Sequence, residues 1–350
     1  MIRQLVRKNI LNLTPYSSAR DEFKGNEAVF LDANENPFGT LNRYPDPYQS
    51  VLKEKVSLLK NVSATSIFVG NGSDEVIDLV FRIFCEPGED AVLLCPPTYG
   101  MYEVAAAINN IRTVEVSLTT DFQLDLPKIA TTLATEAIKV IFLCSPNNPT
   151  GNSLDHIETI LSGFNGIIVV DEAYIDFSER ESFIRNINDY PNLIVTQTFS
   201  KAWGLAGARV GLAFAGEAII ALFNQVKPPY NVSQLNQQAA IDALDTIAVV
   251  ETNLRLILNE RDRVVEAFQQ LSFIRKIYPS DANFILIQLT DSTRIYNQLV
   301  EQGIITRNRS SIIANTIRIT IGTPEENNLL IDQLNRYASL SDTITPTQQK

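Results

Sequence analysis

Between residues 66 and 214, short apolar runs alternate with stretches of helical periodicity. Several of these runs are apolar at successive positions, which is typical of strands that helices cover on both faces. We predict strands at 67–69, 91–94, 113–116, 139–144, 166–170, 193–198 and 210–214, and helices at 73–84, 128–137 and 153–161. The alternation predicts an α/β fold in which the large domain is doubly wound around a mostly parallel seven-stranded sheet.

After residue 233 the pattern changes to a long helical stretch, 234–270. Strands at 284–288, 303–306 and 316–321 and helices at 292–301 and 325–337 follow, which predicts a smaller α+β domain. A chain of 350 residues also exceeds what one hydrophobic core usually serves. We expect an N-terminal arm with part of the small domain at 1–40, a large ligand-binding domain at 41–240, a small C-terminal domain at 241–338 and a polar tail at 339–350.

The charge balance excludes several classes of partner. With 29 Lys and Arg against 40 Asp and Glu, the formal net charge is -11, which argues against nucleic acid or an anionic membrane as a partner. The single histidine, His156, argues against a serine hydrolase triad and against a multi-histidine metal site, so we expect no metal. We interpret His156 as a surface residue near a helix start.

Cysteine usage and hydropathy indicate the compartment. The three cysteines are odd in number and lack CxxC spacing, which argues against a disulfide framework or a zinc site. No apolar run approaches the roughly 20 residues of a membrane span, and charges interrupt residues 1–13 where a signal peptide would be apolar. We therefore expect a cytoplasmic protein.

Two polar segments follow predicted strands and suit an anionic, oxygen-bearing ligand. The segment GNGSDE at 70–75 opens a helix, so Gly72, Ser73 and Asp74 could line a phosphate cradle of backbone amides and hydroxyl groups. The segment SPNNPTG at 145–151 places the amide of Asn148 where open α/β sheets bind ligands. The alternatives are an ordinary helix cap and a structural turn.

The segment DEAY at 171–174 places a carboxylate directly after an apolar strand. Burying Asp171 is costly unless it meets a cation, and a protonated pyridine nitrogen would be a suitable one. The hydroxyl group of Tyr174 could then reach the phenolic oxygen of the same ring. Alternatively, Asp171 caps a helix and Tyr174 lies in the core. We expect Glu172 to face solvent or an interface.

The third element is the Gly-rich segment 198–209, which contains an amine, a hydroxyl group and a guanidinium group. Lys201 could form a Schiff base with the aldehyde of pyridoxal 5'-phosphate, while Ser200 and Arg209 bind the phosphate. A lone lysine is more often solvated. Here it belongs to an ordered series of polar motifs, each after a strand, which favours the pyridoxal phosphate interpretation.

The series SPNNPTG, DEAY and SKAWGLAGARVG resembles the fold type I pyridoxal phosphate aminotransferases over nearly the whole chain. More narrowly, NLTPY at 12–16, LDANENP at 31–37, RYPDP at 43–47, CPPTYGMY at 95–102 and RITIGT at 318–323 resemble the histidinol-phosphate aminotransferase family. The resemblance implies the same fold and a homodimer with active sites shared between subunits.

The resemblance also implies roles for individual residues. Lys201, Asp171 and Tyr174 would be catalytic. The cofactor would be held by Gly72, Ser73, Asp74, Tyr99, Asn148, Asp171, Tyr174, Ser200, Lys201 and Arg209, with Tyr99 stacked on the ring and Tyr44 contributed by the partner subunit. The substrate would be held by Asn34, Arg307, Arg318 and, from the neighbouring subunit, Tyr16. The short segment 308–311 leaves the outer wall of the substrate phosphate pocket undefined.

The implied reaction is transamination between L-histidinol phosphate, a phosphorylated amine, and 2-oxoglutarate, which yields glutamate. Three alternatives are open: an aromatic amino acid aminotransferase, a threonine-phosphate decarboxylase and a cofactor-binding regulator. The regulator is disfavoured because the chain has no basic DNA-reading module.

Overall fold

The structure is a computed structural model that describes residues 2–15 and 29–343. A seven-stranded sheet comprises β1 (Ile67–Gly70), β2 (Ala91–Leu94), β3 (Arg112–Glu115), β4 (Ile138–Cys144), β5 (Ile167–Asp171), β6 (Leu193–Thr198) and β7 (Gly211–Ala215). The strand order is β1-β7-β6-β5-β4-β2-β3. Because β7 alone pairs antiparallel with its neighbours, the sheet is mostly parallel, as predicted.

Helices cover both faces of this sheet. In the described ranges, the helices up to the second sheet are α1 (Ile2–Leu5), α2 (Lys8–Leu11), α3 (Ser50–Lys60), α4 (Ser73–Phe84), α5 (Met101–Ile108), α6 (Leu126–Thr135), α7 (Ile157–Gly163), α8 (Glu217–Val226), α9 (Gln234–Asp245) and α10 (Ile247–Phe268). One apolar core joins the sheet to α4, α5 and α8, and a second core joins the opposite face to α3, α6, α7 and α9. The doubly wound α/β architecture is therefore confirmed.

A second sheet is antiparallel throughout. It comprises β8 (Ile274–Ile277), β9 (Phe284–Leu289), β10 (Arg307–Asn308) and β11 (Thr316–Thr320), in the order β10-β11-β9-β8. Helices α10, α11 (Ser292–Glu301) and α12 (Pro324–Thr343) pack on it around a separate apolar core that includes Phe268, Leu299 and Leu334. The positions of the domain boundaries stay a prediction.

Several predicted element boundaries were wrong, each for a local reason. The helical stretch 234–270 is two helices, because Thr246 leaves the helical region with φ -113° and ψ 33°. The strand predicted at 303–306 begins instead at Arg307, after Gly303 at φ +76°. Helix α7 begins at Ile157 rather than at 153, since His156 has φ +63°.

Two further differences concern the last part of the chain. Strand β8 was not predicted, because Arg275 and Lys276 interrupt its apolar pattern. Helix α12 continues to Thr343, past the predicted start of the tail at 339. Of the helices in the described ranges, none combines the length and apolar character that a bilayer span requires.

Candidate functional site

A cavity of about 410 Å³ lies at the carboxyl ends of β4, β5 and β6, where the second sheet meets the first. Its lining includes the following predicted site residues: Ser73, Asp74, Tyr99, Asn148, Asp171, Tyr174, Ser200, Lys201, Arg209, Arg307 and Arg318. Ligands of open α/β sheets bind at this edge. We call this cavity the Lys201 pocket. Its walls come from segments that are far apart in the sequence.

Asp171 is the last residue of β5 and is 3% exposed. Its Oδ2 accepts a hydrogen bond of 2.6 Å from the hydroxyl group of Tyr102, and its Oδ1 accepts one of 3.1 Å from the amide of Ala173. Burial raises the pKa of Asp171, and the hydrogen bond from Tyr102 opposes that rise. The carboxylate is thus placed to hold a cationic group in the pocket.

Tyr102 was not among the predicted site residues. It lies on the buried face of α5, and burial raises its pKa well above the ordinary value, so the phenol stays protonated as a donor. Its membership of the CPPTYGMY segment was the available signal, but the contact with Asp171 depends on how α5 packs against the sheet.

The expectation that Glu172 faces solvent or an interface was wrong. Glu172 is 1% exposed, and its carboxylate accepts hydrogen bonds from Ser182 Oγ (2.5 Å), the amide of Phe183 (2.7 Å) and Gln197 Nε2 (2.9 Å). Burial raises its pKa to about 7, against these hydrogen bonds. Successive residues at a strand end point to opposite faces, so Glu172 is buried away from the side chain of Asp171.

Lys201 lies in the loop that follows β6 and is partly buried. Burial lowers its pKa, and the positive charge of Arg318 lowers it further, while Asp171 acts in the opposite direction. Its Nζ lies 5.6 Å from the centroid of the Tyr174 ring and has no hydrogen-bond or ion-pair partner among residues 2–15 and 29–343. A lysine with this environment is a larger fraction neutral at a given pH, and a neutral amine is a nucleophile and a base.

Asn148, Tyr174 and Arg318 form a connected polar wall. Arg318 Nη1 donates to Asn148 Oδ1 at 2.5 Å, and Asn148 Nδ2 lies 3.5 Å from the hydroxyl oxygen of Tyr174. Burial raises the pKa of Tyr174, so its phenol stays protonated. Asn148 and Tyr174 therefore present two donors to the same region of the pocket.

The start of α4 fits a phosphate group. Gly72 precedes the helix with φ +81° and ψ 163°, and no side chain caps the helix N-terminus. A Cβ at Gly72 would lie 2.5 Å from Nη2 of Arg209, so a side chain here would displace the guanidinium group from the helix start. Arg209 Nη2 also donates to Asp74 Oδ2 at 3.2 Å, which fixes its position. Free amides, Ser73 and Arg209 are the groups that bind phosphate at a helix start.

Arg307 and Arg318 reach the pocket from the second sheet, where they are directly paired in register across β10 and β11. Arg309 also lines the pocket and was not predicted to bind a ligand. A strand of two residues gives no periodic signal, so the shared face of these arginines was not visible in the sequence.

Two predicted site residues, Asn34 and Tyr44, do not line the Lys201 pocket in this chain. Asn34 and Tyr44 line a separate cavity of about 450 Å³, where Tyr44 stacks on Tyr230 at 4.4 Å between ring centroids. Tyr16 lies outside the described residues. The roles of these three residues stay predictions. His156 is exposed and has no place in the pocket.

Comparisons with known proteins agree with this geometry. A family model described as "Aminotransferase class I and II" matches residues 12–334. The histidinol-phosphate aminotransferase of Cytophaga hutchinsonii is 51% identical over 342 residues, which cover 95% of this chain and 98% of that protein. The protein of the same name from Bacteroides thetaiotaomicron is 53% identical over 342 residues, with 96% and 99% covered.

A solved structure extends the likeness to three dimensions. The crystal structure of histidinol-phosphate aminotransferase from Sinorhizobium meliloti, in complex with pyridoxal-5'-phosphate, has a TM-score of 0.77 and 26% sequence identity. The match covers 85% of this chain and 83% of that one. With the family model matched along nearly its whole length, this chain belongs to the class I and II aminotransferases.

Proposed function

We propose that this chain is a pyridoxal phosphate-dependent enzyme that catalyses L-histidinol phosphate + 2-oxoglutarate = imidazole acetol phosphate + L-glutamate. One observation carries the proposal: the Lys201 pocket combines a lysine of lowered pKa, a buried carboxylate and a group of arginines. The full-length relatives that are 51% and 53% identical support the choice of substrate.

The residues of the pocket fit this cofactor. When bound, pyridoxal phosphate supplies an aldehyde that joins amines and a pyridine ring that withdraws electrons from the attached carbon. Asp171 would hold the proton on the pyridine nitrogen, because a buried carboxylate without a cation is unfavourable. Asn148 and Tyr174 would donate hydrogen bonds to the phenolic oxygen.

Lys201 would have two tasks. Its amine would anchor the cofactor covalently, and after substrate has displaced it, the same Nζ would take a proton from the carbon that bears the amino group. The lowered pKa supports both tasks, since each requires the neutral amine. General acid–base transfer of this kind is worth about 10² to 10⁴ in rate.

The phosphate of the cofactor would lie at the start of α4. Ser73 and Asp74 offer the first amides of the helix there, Ser200 offers a hydroxyl group and Arg209 a guanidinium group. Tyr99, whose hydroxyl group donates to Asp74 Oδ1 at 3.2 Å, would stack on the ring. Arg307 and Arg318 would bind the anionic end of each substrate, the phosphate of histidinol phosphate or a carboxylate of glutamate.

We further propose a cytoplasmic homodimer. Leu31, Phe38 and Leu235 are 86%, 81% and 62% exposed, and Leu235 lines the same cavity as Asn34 and Tyr44. A second copy would cover these exposed apolar side chains and would bring Tyr44 of the partner subunit to the cofactor phosphate. Three buried cysteines without a disulfide are compatible with a reducing compartment.

The test is spectroscopic. Protein loaded with pyridoxal phosphate is mixed in parallel with L-histidinol phosphate and with L-phenylalanine, and the absorbance band of the bound cofactor is followed. We expect loss of the band with histidinol phosphate alone. An equal response to phenylalanine would indicate an aromatic aminotransferase, and CO₂ release from threonine phosphate would indicate a decarboxylase; either outcome contradicts the proposal.

A further inference from the structure

The β10–β11 ribbon presents three arginines on one face. Arg307 is paired directly with Arg318. Arg309 follows Arg307 by two positions, and its amide continues the ladder by donating to the carbonyl of Thr316 at 2.9 Å. Residues two apart in an extended segment point to the same side, and all three arginines line the Lys201 pocket.

These arginines lack the carboxylate partners that other arginines of the chain have. Arg209, in the same pocket, pairs with Asp74. In the described part of the chain, no Asp or Glu forms an ion pair with Arg307, Arg309 or Arg318. The buried Nε atoms of Arg309 and Arg318 have no hydrogen-bond partner there. Uncompensated cations are costly to gather in this way, so the arrangement favours a bound anion.

The backbone holds Arg309 in place. Its amide donates to the carbonyl of Thr316, and its own carbonyl accepts hydrogen bonds of 2.9 Å from the amides of both Ile312 and Ile313. The next amide, Ser310, donates to Asn308 Oδ1 at 2.9 Å. A site on a fixed backbone positions its side chains more sharply than a mobile loop does. Segment 308–311, which left the pocket wall undefined in the sequence, is therefore ordered around Arg309.

We infer that Arg309 is a specificity-determining residue that completes a three-arginine site for the dianionic phosphate ester of the substrate. This inference rests on the proposed function. A phosphate monoester carries a charge of about -1.5 to -2 and three acceptor oxygens, whereas a carboxylate of glutamate carries one charge and two oxygens. Two arginines suffice for the carboxylate. The third therefore favours the phosphorylated substrate over glutamate.

The experiment compares the two half-reactions in Arg309→Gln. We expect kcat/KM for L-histidinol phosphate to fall by about 10- to 100-fold, and kcat/KM for L-glutamate to fall by a smaller factor, so that their ratio shifts by about tenfold or more. The ratio of the two kcat/KM values for Arg309→Lys should lie between those of wild-type protein and Arg309→Gln, since an ammonium group keeps the charge but not the planar fork. The matched control is Arg275→Gln, an exposed arginine of the same sheet that does not line the pocket.

A second measurement does not depend on turnover. We measure by calorimetry the dissociation constant of glycerol 2-phosphate, an unreactive phosphate monoester, from cofactor-loaded protein. The ester gains its second charge near pH 6, so wild-type binding should tighten as the pH rises through about 6. In Arg309→Gln this tightening should be smaller, and in Arg275→Gln it should be unchanged.

These measurements test the role of Arg309 separately from the proposed function. If Arg309→Gln reduces both half-reactions by the same factor, or neither, and leaves binding of the ester unchanged, the inference is wrong although the proposed function stands. If wild-type protein does not convert histidinol phosphate, the proposed function is wrong, and ester binding still decides the role of Arg309. Should Arg309→Gln fail to fold, the ratio measured for Arg309→Lys decides in its place.

Discussion

Arg318 Nη1 donates a hydrogen bond to Asn148 Oδ1 at 2.5 Å, across 170 residues of sequence. The bond ties the second sheet to the loop that follows β4. It fixes an arginine proposed to bind substrate against an amide proposed to bind the cofactor ring. An anion bound to Arg318 would therefore be held at a fixed position relative to a cofactor ring bound by Asn148.

We expect Arg318→Gln to lower kcat/KM for both L-histidinol phosphate and L-glutamate by about 10- to 100-fold, because a charge-assisted hydrogen bond contributes about 1.5–3 kcal/mol. Steady-state kinetics with each substrate provides the measurement. A variant that lost activity toward only one substrate would contradict a shared role for Arg318. Arg275→Gln is again the control.

Lys201→Ala should abolish turnover, with a loss of at least about 10³-fold, because it removes the amine that anchors the cofactor and moves the proton. The exposed Lys128→Ala, on α6, should retain wild-type activity. A glutamate-formation assay measures both. Sustained multiple turnover by Lys201→Ala without an added amine would rule out the assignment.

Tyr102→Phe removes the donor to Asp171 Oδ2 and leaves the apolar packing of the ring. Because this hydrogen bond lowers the pKa of Asp171 against its burial, the pKa should rise further in the variant. The ionised carboxylate is then lost at a higher pH. We expect the acid limb of the kcat/KM profile to move to higher pH, with a loss of about tenfold at neutral pH.

The control for this prediction is Tyr278→Phe, whose ring lies outside the Lys201 pocket. An acid limb that coincides with that of wild-type protein would show that Tyr102 does not act on Asp171.

Gly72→Ala should weaken cofactor binding. The backbone at φ +81° and ψ 163° lies in a region open almost only to glycine, and the added Cβ would meet Arg209 at 2.5 Å. With strain of about 1–3 kcal/mol, the dissociation constant of pyridoxal phosphate should rise by about tenfold or more. Titration of the apoprotein with the cofactor measures it. Gly216→Ala, where a Cβ meets nothing within 4 Å, should bind as wild type does.

Glu172 should make stability depend on pH. Burial raises its pKa from 4.5 to about 7 in the folded protein, so the folded state binds the proton more tightly than the unfolded chain. The resulting stabilisation is fully present below the unfolded pKa of 4.5 and is lost as the pH rises through about 7. Glu172 thus makes a pH-dependent contribution to the free energy of unfolding on the order of 3 kcal/mol.

Glu172→Gln cannot ionise, so its stability lacks this pH dependence. Urea unfolding at several pH values between about 5 and 8 should show the wild-type protein losing stability relative to Glu172→Gln as the pH rises. The exposed Glu158→Gln should follow wild-type protein throughout. A constant difference between wild type and Glu172→Gln at all pH values would contradict the raised pKa.

The alternation of apolar runs and helical patterns was enough to predict the seven-stranded sheet. Buried parallel strands require continuous apolar runs, and such runs can be recognised in the local sequence. Lys201, Asp171 and Asn148 were predicted for a related reason. Each follows such a run, and the carboxyl ends of parallel strands meet at one edge of the sheet. Local sequence thus determined the sheet and the residues at its edge.

The partners of those residues depend on how the elements pack in three dimensions. Tyr102 reaches Asp171 because of the way α5 packs, and Glu172 is buried because Ser182, Phe183 and Gln197 surround it. Arg309 joins Arg307 through a ladder too short to leave a periodic signal. Hydrophobic periodicity records which face of an element is covered. It does not record which distant side chain covers it, and hydrogen bonds between such side chains form only when the packed elements bring them together.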